Sequence, residues 1–212
     1  MDELMRGVDE LYERAVFNGE YDDLQAADRA LDLVEARLFV QRGRILHCRF
    51  LESRVEQPGE LAAFERAADL YAAGDDQRGE AEARFWIGCF HQVVRDDNPT
   101  AIPFLRTAAD LARATGDQLT LSYALRHLGI AAHISGAYDE ARELLEESTD
   151  LRRALGFTAG VAANLVGLIY LALAQNRPDD ARRLATEAAD LATSADATKI
   201  AEQITEASTH LP

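Results

Sequence analysis

The chain has 212 residues, with 37 acids against 22 Lys and Arg and a formal net charge of −15. Phosphate neutralisation needs a basic stripe, so nucleic acid is excluded as an expected partner. No run of about 18 apolar residues occurs, so no membrane span is expected, and the two cysteines are too few for a disulfide framework.

Leu, Ala, Glu, Asp and Arg dominate, and every predicted element is a helix. Residues 2–17 form the first, with Leu4, Val8, Leu11 and Ala15 on one face by spacings of three and four. This segment is acidic and amphipathic and lacks a secretory apolar core, so a cytoplasmic chain with reduced thiols is expected. Asn18-Gly19 ends it, and residues 21–35 return with Leu24, Ala27 and Leu31 to close a first hairpin over 2–35. A second hairpin, 36–74, starts near Ala36, breaks at Pro58-Gly59 and returns over Glu60–Ala73.

The third hairpin, 75–115, turns at Asp96-Asp97-Asn98-Pro99, which is read as carrying one extra residue. Thr100 is expected as the N-cap there. That start would place Pro103 in the first helical turn, where no N–H is needed. The fourth hairpin, 116–155, is the clearest. Leu125, Leu128, Gly129 and Ala132 form one stripe, Ser135-Gly136-Ala137 the turn, and Tyr138, Ala141, Leu144 and Leu145 the return. The fifth, 156–195, turns at Asn176-Arg177-Pro178. A last segment, 196–211, sets Ile200, Ile204 and Ala207 against Lys199, Glu202 and Glu206, as the polar cap of a stack requires.

The units repeat. Asp69, Asp110, Asp150 and Asp190 each close an Ala/Ser-Ala/Thr-Asp-Leu block, and a turn residue follows six positions later at Asp75, Gly116, Gly156 and Asp196. The unit at 124–145 resembles a tetratricopeptide repeat: Leu128-Gly129 in the first helix, Gly136 then Tyr138 at the turn, Ala141 early in the second. The period of about forty is longer than the usual roughly 34 and is similar to the long-helix arrays in bacterial multidomain signalling proteins. The resemblance implies one all-α domain: a right-handed superhelical solenoid of about five hairpins plus a C-terminal capping helix, without strands. It implies binding of a protein or peptide in the concave groove lined by the first helix of each hairpin, as a scaffold, adaptor or regulator. Some members clamp a carboxylate with Lys and Asn; Arg126 matches one such position, but Phe85 and Val166 stand where Asn would.

Counting from Gly129 by the repeat period gives the inward positions. The candidate groove residues are Arg42 and Arg49 in the second repeat, Trp86 in the third, Tyr123, Arg126, His127 and His133 in the fourth, and Tyr170 in the fifth. Aromatic and arginine side chains suit a binding surface because they bury large area and offer directed donors. In an acidic chain this strip favours an acidic or polar peptide. The alternative is a small-molecule-binding protein or enzyme using the same pocket. No phosphate-loop, nucleophile-elbow, zincin or CxxC motif occurs, so no catalytic residue, cofactor or metal ligand is assigned.

Overall fold

The computed structural model describes residues 2–211, and the described residues contain helices and no strand. The order is α1 (Asp2–Glu13), α2 (Leu24–Ser53), α3 (Glu60–Ala73), α4 (Gln77–Cys89), α5 (Asn98–Thr115), α6 (Gln118–Ile134), α7 (Tyr138–Ala154), α8 (Thr158–Ala174), α9 (Pro178–Ser194) and α10 (Thr198–Ser208). Each helix packs on the next, as in a helical-repeat solenoid. Its core is three buried clusters from Ala36 in α2 to Ala207 in α10, bridged by the partly buried Trp86 and Leu144.

The turns mark the period. Asp75, Gly116, Gly156 and Asp196, the four turn residues expected from the aspartate blocks, all have positive φ (56°, 70°, 67° and 49°). A second set, Asp96, Gly136 and Asn176, closes the other ends of the hairpins with φ of 52°, 83° and 56°. Gly, Asn and Asp tolerate this left-handed conformation best. Asp76, Asp97 and Asp117 then cap α4, α5 and α6. Each side chain accepts from the backbone N–H three residues on, at 2.9, 3.0 and 3.2 Å.

Three expectations change. The break between the first two repeats at 35–36 does not exist: α2 runs unbroken for 30 residues and serves both. Its run is longer than a repeat helix, so the register of the second repeat moves. Gly43, with Phe64 in the space a Cβ would fill, is the counterpart of Gly88 and Gly129, which face Leu105 and Leu145 in the same way.

The cap of α5 is Asp97 and not Thr100, so Pro103 lies inside the helix. Its missing N–H leaves the Pro99 carbonyl without its helical donor. Both prolines are exposed, so water can satisfy that group. The extra residue is also placed differently. Asp96, Gly136 and Asn176 are evenly spaced, so the 96–99 turn holds no insertion. It is absorbed upstream, where α4 continues as a wide π-type turn over Phe90–Val94.

Helices within a hairpin meet through small residues. Ala101, Ala141 and Ala181, one repeat apart, are fully buried at the start of the second helix. A Cβ on Gly129 would lie 3.3 Å from the Ala141 carbonyl oxygen. Ala141→Leu should overpack this contact and cost about 1–3 kcal/mol, read as a lowered melting temperature. An unchanged melting temperature would remove the close crossing from the account of the fold.

Candidate functional site

The inner sides of α2, α3, α4 and α6 enclose a groove of about 510 Å³. Trp86 forms its floor. It stacks on Phe64 at 5.4 Å and 9°, and meets Phe85 at 5.1 Å and His47 at 5.6 Å edge-on. Phe85 leads on to Tyr123 at 5.4 Å and to His127 at 5.4 Å. Tyr71 adds a fourth aromatic wall, its hydroxyl pushed up to about 12 by burial.

The rim is charged. Arg44 sits 4.0 Å from Glu82 and 5.8 Å from the Trp86 ring centre, and Arg78 pairs with Asp117 at 3.4 Å. Arg37 has no carboxylate within ion-pair distance among the described residues. Exposed pairs of this kind contribute little stability, so the arginines remain available to a ligand.

The expected groove residues separate. Trp86 and Tyr123 line the groove, and His127 joins them through Phe85. Arg42 does not: it lies over a different hollow, on the far side of α2. Arg49 is exposed outside the groove. The Gly43 register explains both. The inward positions of the second repeat are Arg37, Val40, Arg44 and His47, five residues before those counted from the forty-residue period.

His133 faces Tyr138 at 5.7 Å, and Tyr170 faces His210 at 6.1 Å near the capping helix. Burial lowers the His133 pKa and raises that of Tyr170. Arg126 turns toward α8. Its Nη1 donates to the Ala163 carbonyl at 2.6 Å and to Asn164 Oδ1 at 3.2 Å, and burial pulls its pKa down to about 10.

Two buried polar groups escaped sequence reasoning. Arg152 is 1% exposed, with Nη1 on the Gly160 carbonyl at 2.8 Å and on Asn164 Oδ1 at 2.9 Å. Its guanidinium lies 4.8 Å from the Tyr123 ring centre and 5.5 Å from that of Phe157, in cation–π contact with both rings behind the groove wall. Ala112 and Ala192 hold the same place in neighbouring repeats, so an Arg where the repeat has Ala was the available signal. Glu60 is likewise fully buried and accepts or shares a 2.8 Å hydrogen bond with His47 Nδ1. Burial raises its pKa, and His47 opposes that. One repeat later Ala101 stands in its place, so the same comparison points to it.

The π-type turn positions another contact. It carries Gln92, whose Nε2 donates to the His127 carbonyl at 3.0 Å and to Asn98 Oδ1 at 2.7 Å, with Oε1 2.6 Å from His127 Nδ1. Of the thiols, Cys89 is buried and pushed up to about 12, and Cys48 is exposed.

Stacked helical hairpins around an aromatic and basic inner groove define a helical-repeat solenoid. The family model of the tetratricopeptide repeat matches residues 90–154, from the π-type turn through α7. That segment is similar to tetratricopeptide repeats, which generally mediate protein–protein interaction. Comparison with the curated proteins finds no match.

His127 gives a pH-dependent readout of the site. Burial first, then the charges of Arg126 and Arg152, pull its pKa down to about 3. The unfolded ring takes its proton near 6.5 and the folded ring only near 3. Between those values the unfolded chain binds more protons, so this contribution is intact above about pH 6.5 and is lost as pH falls toward 3. Denaturant unfolding between pH 7 and pH 4 should show stability falling with pH, and His127→Gln should flatten part of that slope. An identical slope in the variant would mean that the ring is not shielded.

Proposed function

We propose that this chain is a peptide-binding interaction module, a scaffold or adaptor, that works in the cytoplasm. Its ligand lies in the groove between α2, α4 and α6. One observation carries the reading: four aromatic walls, Tyr71, Phe85, Trp86 and Tyr123, beside three arginines, Arg37, Arg44 and Arg78, contributed by consecutive hairpins. Flat aromatics bury area at low entropic cost, and arginines give directed donors to carboxylates. A peptide pairing an acidic residue with an aromatic or aliphatic one fits that chemistry. The acidic outer helices of the chain repel such a peptide and favour its approach to the basic rim. The exposed Cys48 thiol is compatible with a reducing compartment.

The test is selection of peptides from a displayed random library, followed by titration of the selected sequence. Arg37→Ala with Arg44→Ala should weaken binding by about 1–3 kcal/mol, because a charged hydrogen-bond partner is removed. Circular dichroism should be unchanged, since both residues are exposed. Equal affinity in the folded double variant would move the binding site out of this groove.

A further inference from the structure

The two ends of the stack are unlike. At one end α10 closes the solenoid, burying Ile204 and Ala207 against the last repeat. At the other, the outer face of α2 is open. Leu38 is 60% and Ile45 54% exposed, one above the other on the helix. Beside them a hollow of about 720 Å³ runs between α2 and α3, lined by Leu38, Phe39, Leu46, Pro58 and Ala62, with Arg42 at its rim. A repeat stack ordinarily covers this face with a further helix.

The charge here is opposite to that of the chain. Residues 36–51 hold four arginines and no acid, within a protein of net charge −15. Arg42 and Arg49 flank the Leu38–Ile45 stripe, and neither has a carboxylate within ion-pair distance among the described residues. Glu35, at the edge of the hollow, is already held by Arg66 at 3.3 Å.

The chain also carries the complementary element. Helix α1 has five acids against one arginine over 2–13 and buries no residue. Met5 and Tyr12 are exposed, 41% and 66%, and share one stripe, with Asp9 and Glu13 beside it. The lengths agree: α1 is about 18 Å long and the stripe from Leu38 to Arg49 about 17 Å, at about 1.5 Å per residue.

We propose that α1 of one copy docks on the open α2–α3 face of a second copy, and reciprocally, to form a two-fold dimer. The contact is isologous, so each copy supplies one acidic helix and one basic face, and the assembly closes at two. Apolar stripes meet at its centre, and Asp9 and Glu13 meet Arg42 and Arg49 at the rim. This surface lies on the opposite side of α2 from the inner groove, so the groove stays open in the dimer.

Sedimentation velocity of the full chain over a concentration series tests this. The expected result is a concentration-dependent dimer. Arg42→Glu with Arg49→Glu should weaken it by about tenfold or more, through like-charge contact, and Asp9→Arg with Glu13→Arg should do the same. Mixed one to one, the two double variants have opposite charges at both contacts and should restore the dimer. A protein that stays monomeric at every concentration overturns the proposal. So does a dimer indifferent to the reversals, or loss of association that mixing does not rescue. Peptide titration of the groove is a separate measurement and can fail or succeed independently.

Discussion

The structure depends on close approach of two helices at one small residue in each hairpin. Gly43, Gly88 and Gly129 leave room that Phe64, Leu105 and Leu145 occupy. Ala101, Ala141 and Ala181 keep the facing backbone near. Interiors pack at crystal-like density, so this clearance sets how hairpins stack and which side chains face inward. Where Gly43 falls along α2 decides that Arg37 and Arg44, and not Arg42 and Arg49, reach the groove. One missing Cβ thus sets the chemistry of a binding surface.

The repeat is informative where it fails. The extra residue of the third unit becomes a π-type turn, and that turn holds Gln92 against His127 and Asn98. Arg152 takes a place filled by Ala in its neighbours, and Glu60 another. A buried charge is costly unless it is hydrogen-bonded. Arg152 satisfies most of its donors on Ser122, Gly160 and Asn164, which ties α6, α7 and α8 together, while Nη2 has no partner. Arg126 adds a second tie from α6 to α8. The wall of the groove at Tyr123 is therefore held from behind by a polar layer, and its aromatic face is presented rigidly.

Charge is organised at a larger scale. On the outer helices arginines are paired with carboxylates, such as Arg153 with Glu187 and Arg113 with Glu147, which link successive repeats at 2.7 and 3.2 Å, and the acids in excess carry the net charge. The four arginines of α2 between residues 36 and 51 depart from this. Two turn inward to the groove and two outward to the open end, so one helix carries both basic surfaces of an acidic protein.

The all-helical class, the positions of most turns and the period were legible in the sequence, because they rest on local rules. Gly, Asn and Asp at fixed offsets tolerate positive φ, and apolar residues recur every three or four. Trp86 and Tyr123 were legible as groove residues for the same reason, since their repeat keeps its register with Gly129. What the sequence left open was decided by contacts between distant segments. No local signal separates a helix that ends at residue 35 from one that runs to 53; packing of α2 on α3 settles it, and with it the identity of the inward arginines. Pro103 is the local exception: it sits inside α5 because the Asp97 side chain, three residues before Thr100, accepts from the Thr100 N–H. His133 and Tyr170 carry the right residue types at the right spacing, but their rings meet Tyr138 and His210 and not the groove. Periodicity specifies which face of a helix a residue occupies, and only the packed neighbours specify what that face meets.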